Sequence, residues 1–246
     1  EDRPSAYRRA IFWYQQAAAN STSTIRKLGI EKKIDALPQF EFNLPEEGLV
    51  FFFPFDGTID DASPYQHSSQ LEDANFIKRQ NNGALLFDGK NSLSVDYHFS
   101  FRVDNEFTLS AIVALEKELP PNQWPQVLGQ RISTLRSSLD LGLTKPEDGV
   151  PFRWRASISN GNDTNEIAQE IQSKAIVKPG TWIHLVYTVN RSACELWIDG
   201  KLDQRVVRDP RTIDNIGSSV RDFTIGSNGY SGSLLNWVGG IDNVRF

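Results

Sequence analysis

Short apolar runs, each closed by a turn signal, fill the chain from Leu49 to Phe246, and they limit the possible fold more than any other feature. Leu49–Phe53 is uniformly apolar and reads as a buried strand. Ala84–Phe87 ends at Asp88-Gly89. Phe107–Leu115 alternates, so Phe107, Leu109, Ala111, Val113 and Leu115 share one face. Val127–Gln130, Leu139–Leu143, Phe152–Ile158, Trp182–Val189, Ala193–Ile198, Phe223–Ile225 and Trp237–Phe246 continue the pattern. Asp199-Gly200, between Leu196-Trp197-Ile198 and Lys201-Leu202, is a tight hairpin signal because Gly takes positive φ without steric cost. No helical period separates the runs, which disfavours βαβ crossovers. Many short strands spaced by turns specify a mainly β fold, a sandwich of two antiparallel sheets.

Before Pro45 the period changes. Asp2 is placed to cap a helix start, and Pro4 suits a first turn. Tyr7, Ala10, Ile11, Tyr14, Ala17 and Ala18 then recur at three- and four-residue spacing. Asn20-Ser21-Thr22-Ser23 breaks the pattern. Ile30, Ile34 and Leu37 resume it until Pro38 stops it. Residues 1–45 therefore read as a helical hairpin or linker, and 46–246 as the β domain. Such a hairpin is too small to bury a core alone and needs a surface to pack on.

Composition removes several functions. The net charge of −5 disfavours nucleic acid, which calls for a basic footprint. The longest apolar run falls far short of the roughly 20 residues of a membrane-spanning helix. One cysteine, Cys194, excludes an internal disulfide framework and a cysteine-rich zinc site. Methionine is absent, so the chain reads as part of a larger parent protein whose other domains are its neighbours.

The ordered run Trp182-Ile183-His184, Leu196-Trp197-Ile198-Asp199-Gly200-Lys201, Phe223-Thr224-Ile225-Gly226 and Gly240-Ile241-Asp242-Asn243-Val244-Arg245 resembles the laminin-G-like, concanavalin A-like jelly-roll family. Phe53-Pro54-Phe55-Asp56-Gly57, Asp61-Ala62-Ser63 and Leu86-Phe87-Asp88-Gly89 extend the likeness, which covers residues 49–246. The resemblance implies a concanavalin A-like jelly roll. It does not imply one function, since the architecture hosts lectins, glycosidases, adhesion modules and spacers. Trp13-Tyr14-Gln15-Gln16-Ala17 resembles a tetratricopeptide-type helical segment, which implies a bacterial surface or envelope protein.

The same resemblance implies a structural calcium held by Asp56, the Gly89 carbonyl and Asp242. Asp242 lies inside an apolar strand, so a cation, an arginine or backbone amides must compensate its charge. Glycoside hydrolysis needs two carboxylates about 5–5.5 Å or about 6.5–9.5 Å apart. The Glu-x-Asp-x-Glu strand of catalytic relatives is missing. The nearest pairs, Glu116/Glu118 at a strand end and Glu166/Glu170 in a stretch read as loop or short helix, fit surface charge.

Aromatic side chains are the stronger lead, because sugars stack their CH-rich faces on exposed rings. Tyr65, His67, Tyr97, His98 and Trp124 fall in loops, as does Tyr230 beside Asn228. Trp154 shares a strand face with Phe152 and is either a sugar contact or core. The reading is a non-catalytic module that recognises a carbohydrate or protein, in an exported or cell-surface protein. The rival readings are a glycoside hydrolase or lyase with an unfamiliar acid pair, and a structural spacer or docking domain.

Overall fold

The computed structural model describes residues 48–79, 82–97, 106–120, 123–133, 136–144, 151–159, 167–190, 192–208, 222–227 and 236–246. The expected hairpin over 1–45, with its tetratricopeptide-like segment, lies outside these residues.

In chain order the strands are β1 (Phe52–Phe53), β2 (Ser69–Gln70), β3 (Asn75–Arg79), β4 (Asn82–Asp88), β5 (Leu93–Val95), β6 (Phe107–Leu115), β7 (Gln126–Ser133) and β8 (Arg136–Leu143). They continue as β9 (Arg153–Ser159), β10 (Ile167–Ile176), β11 (Ile183–Val189), β12 (Ala193–Ile198), β13 (Lys201–Val207), β14 (Phe223–Ile225) and β15 (Val238–Arg245). One sheet runs β13-β12-β11-β6-β15-β4-β3, with β1 also paired to β15. The other runs β10-β9-β8-β7-β14-β5-β2. Every pairing is antiparallel. The expected sandwich of two antiparallel sheets is therefore the observed one.

Strand alternation builds the core. In the second sheet Leu93, Ile225, Leu128, Leu141, Ala156 and Ile171 sit opposite one another across adjacent strands, and all are buried. One residue along, the opposite face carries Gln70, Ser94, Thr224, Gly129, Asp140, Ser157 and Glu170 in register. The first sheet contributes Leu109, Tyr187 and Leu196 across three strands. Phe51, Phe53 and Phe55 are fully buried, and Phe51 packs against Phe223 and Phe246 at 4.9 and 5.3 Å between ring centroids. Burying each such ring contributes roughly 1.5–3 kcal/mol.

The Asp199-Gly200 hairpin forms as expected, with φ of 49° and 74°. Glu170 corrects an expectation: it lies in β10, a strand, and not in a loop or short helix. Its neighbour Ile171 points into the core while Glu170 and Gln172 point away, the pattern of an edge strand with one wet face.

Candidate functional site

Just after β1 the backbone turns around the Asp61 carboxylate, which is wholly buried. Oδ1 accepts from the Phe52 and Ser63 amides at 2.8 Å each. Oδ2 accepts from the His67 amide at 3.0 Å and lies 2.7 Å from His67 Nδ1 and 2.8 Å from Ser63 Oγ. Burial works to raise the Asp61 pKa. The amides of Phe52 and Ser63, the His67 ring and the Ser63 hydroxyl outweigh it and hold the group below its ordinary value. Gln66 takes φ 50°, the left-handed region, and this brings His67 back onto the carboxylate.

This turn assembles three aromatic rings. His67 lies 5.8 Å from Tyr65 and edge-on to Tyr97 at 4.9 Å. Tyr97 in turn meets core Phe51 edge-on at 6.1 Å. Tyr65 is 65% exposed, whereas the His67 side chain is 15% exposed. Burial pushes the Tyr97 phenol up, and the neighbouring Tyr65 phenol adds to the shift. Gln130, fully buried, donates from Nε2 to the Tyr97 carbonyl at 3.2 Å and pins the far end of the row. The arrangement is a fixed aromatic step rising from the core to solvent, with one imidazole set into it. Ser63 Oγ serves the carboxylate and not the imidazole, so the hydroxyl–imidazole–carboxylate order of a nucleophilic triad is not formed here.

The structure brings Tyr97 together with Tyr65 and His67. Trp154 is corrected: it is 4% exposed and packs on buried Trp237 at 6.0 Å, so it is core and offers no ring face to a ligand. Trp124 is half-buried, and its carbonyl accepts from Gln126 Nε2 at 2.8 Å. Asn228, Tyr230 and His98 lie outside the described residues. Sequence reasoning quoted Asp61 only as part of the family likeness. The Asp-x-Ser spacing was the available signal, since such residues close local turns on nearby amides.

Asp56, Gly89 and Asp242, the proposed calcium ligands, all fall within the described residues. Asp56 is exposed and accepts from the Gly83 amide at 2.9 Å. Gly83 lies near the start of β4 and Gly89 just past its end, about 20 Å apart at the rise of a strand. Asp242 is fully buried. Its Oδ2 accepts from Arg79 Nε at 2.5 Å, and Oδ1 from Asn243 Nδ2 at 2.9 Å. Burial still pushes the Asp242 pKa up, against the pull of Arg79 and Asn243. The Arg79 guanidinium also lies 5.6 Å from the Trp182 ring centroid. An arginine therefore supplies the positive charge that Asp242 requires. Among the described residues no three His, Cys, Asp or Glu side chains are grouped to hold a metal ion.

The carboxylates of the second sheet's outer face form an ion network. Arg155 Nε donates to Glu170 Oε2 at 2.8 Å, and Arg155 Nη1 lies 3.9 Å from Asp140 Oδ2. Gln172 Nε2 donates to Glu170 Oε1 at 2.6 Å. Both acids face one guanidinium, which suits a structural cross-strand network better than a free acid and base. Glu116 and Glu118 are exposed, and Glu166 lies outside the described residues. No helix among the described residues is long and apolar enough to cross a membrane.

Residues 87–246 match the family model described as concanavalin A-like lectin/glucanases superfamily. Sequence comparison with curated proteins finds no match. Solved structures share the fold at low identity. Domain 4 of AbnA, a GH43 extracellular arabinanase from Geobacillus stearothermophilus solved with arabinotriose, superposes with TM-score 0.55 at 14% identity, over 80% of this chain and 90% of that one. The binding domain of botulinum neurotoxin serotype D gives 0.52 at 12% identity, over 81% and 48%. A Trypanosoma rangeli sialidase mutant gives 0.51 at 19%, over 80% and 30%, so this chain spans less than half of the latter two.

Proposed function

The chain belongs to the concanavalin A-like lectin/glucanase superfamily, and on that premise we propose that it is a non-catalytic carbohydrate-binding module. The observation that carries the reading is the Tyr65–His67–Tyr97 row. A ring that is 65% exposed stands on two others held in place from below. A rigid aromatic face with a polar edge is what a sugar ring needs, because little side-chain freedom is lost on binding. Two comparisons support the reading by analogy of fold: the arabinanase domain was solved with arabinotriose, and the neurotoxin domain is a binding domain. In this reading the module belongs to an exported or cell-surface protein and contributes attachment, while any chemistry lies in neighbouring domains. The Asp140–Arg155–Glu170 network holds the outer face of the second sheet together and takes no part in hydrolysis.

A glycan array probed with the intact chain, in calcium and in chelator, tests the proposal. Binding to a defined set of glycans is expected. In titrations with the best of them, Tyr65→Ala lowers affinity about tenfold or more, roughly 1.4 kcal/mol, while leaving the unfolding curve in place. An array without any glycan signal, or a hit whose affinity Tyr65→Ala leaves unchanged, overturns it. A pull-down that captures a protein partner through another face favours the docking reading.

A further inference from the structure

The aromatic step holds one hydrogen-bonding atom fixed beside its stacking face. His67 is tied twice to the same oxygen of Asp61, by its backbone amide at 3.0 Å and by Nδ1 at 2.7 Å. That carboxylate is wholly buried and also accepts from the Phe52 and Ser63 amides and the Ser63 hydroxyl. An ionised carboxylate only accepts, so Nδ1 carries a proton, and the ring cannot turn over without breaking that bond. Nε2 is left over. It has no partner among the described residues and keeps contact with solvent. The imidazole plane is tilted 41° to the Tyr65 ring, 5.8 Å away, which makes an angular seat with Tyr65 as its open wall.

A hydroxyl both donates and accepts. It therefore satisfies Nε2 whether or not that atom carries a proton, and the fit does not depend on the charge of the ring. An apolar group in the same place would leave Nε2 unpaired and out of water. The seat is also one ring wide. Tyr65 is the one exposed aromatic ring among the described residues, whereas Tyr97 is half-buried and edge-on to His67. Stacking along a polysaccharide needs a further exposed ring for each further unit. We propose that the rim takes a single sugar unit, stacked on Tyr65 and selected by one hydroxyl at His67 Nε2, with Asp61 as the positioning residue that aims the imidazole. This rests on the carbohydrate-binding reading of the same rim and names the unit it recognises: a chain end or a one-unit branch, with no charge required on the sugar. Stacking alone discriminates little between sugars that share an apolar face. The Nε2 contact adds discrimination, because a site built to hydrogen-bond a hydroxyl rejects the analogue that lacks it.

The test uses the intact chain with methyl glycosides of arabinofuranose, galactose, glucose and mannose, and of the terminal unit of the best array hit. Arabinotriose and lactose serve as longer chains. At least one glycoside should bind and move the 15N shift of His67 Nε2, a signal assigned by its loss in His67→Phe. Removing one ring hydroxyl from that glycoside should weaken binding about tenfold or more. In His67→Phe the glycoside and its deoxy form should bind alike. In Asp61→Asn the neutral imidazole should become a mixture of tautomers by its 15N shifts, and the deoxy discrimination should shrink while stacking on Tyr65 remains. The longer chains should gain less than tenfold over the glycosides of their terminal units, and a larger gain overturns the one-unit seat. Deoxy forms that all bind like the parent, or a loss that persists in His67→Phe, overturn this proposal alone. So does an array hit with no binding by any methyl glycoside. The deoxy series on the native chain stands even if a variant unfolds. No binding by any of these sugars, alongside a blank array, overturns the carbohydrate reading with it.

Discussion

Asp61 and Asp242 are both buried carboxylates, yet their surroundings move them in opposite directions. Asp61 is met by backbone amides, the His67 ring and the Ser63 hydroxyl, which together outweigh its burial. Asp242 depends on Arg79 and Asn243, and burial wins. The signs follow by linkage. Asp61, depressed in the folded state, contributes stability that is present above its ordinary value of 3.8 and is lost as pH falls below it. Asp242, raised, opposes folding while ionised, and that penalty is relieved as pH falls towards 3.8. Asp61→Asn should therefore cost about 1–3 kcal/mol near neutrality and flatten the acid limb of the stability profile. Urea unfolding across a pH series reads both, and an unchanged acid limb would contradict the assignment. Arg79→Met should cost about 3–5 kcal/mol because it strands a buried charge. Adding Asp242→Leu should restore much of that loss, and a double-mutant cycle without such coupling would show that the pair is not the compensating unit.

At the scale of elements, β13 and β10, an edge strand of each sheet, protect one another. The register shift in the β12–β13 pairing leaves Asp203 between the paired residues Leu202 and Gln204. Its carboxylate accepts from the Lys174 and Ala175 amides of β10 at 2.6 and 3.2 Å. A charged bulge thus closes amides that a foreign strand could otherwise use. Beside them Ile176 is 50% exposed. Asp203→Ala should promote self-association relative to the parent chain, measured by light scattering at matched concentration. An unchanged mass would show that the edge is closed by other means. Edges were also where sequence reading failed. The bounds expected for β6, β12 and β14 are those observed, because β6 and β14 alternate and β12 is stopped by the Asp199-Gly200 turn. β10 was misread because its inward positions include buried Ser173, so no clean apolar period marks it. The residue types of the rim were legible, but their meeting was not. Tyr65 and Tyr97 approach only because β2 pairs with β5 and Asp61 folds the intervening loop. Asp242's need for a partner was equally legible, but Arg79 lies 163 residues away and nothing local points to it.

Across the whole molecule, β15 closes the first sheet. It lies between β6 and β4 and also pairs with β1, so strands distant in sequence meet through it. A chain ending after Ile225 would leave β6, β4 and β1 without this partner and would lack Trp237 from the core. It should show no cooperative transition in urea by circular dichroism, and a sharp transition would contradict the central role of β15. The same closure sets where the sandwich begins and finishes. The Val50 amide donates to the Phe246 carbonyl at 2.6 Å, and the Phe246 amide donates to the Phe51 carbonyl at 3.1 Å. Entry and exit are therefore side by side, the geometry that lets a domain be inserted into a host loop or circularly permuted. It also decides how the fold responds to mechanical load. Tension between the two ends would part these bonds one after another, as a zip opens, and not shear them together. A module attached in this way would yield at low force.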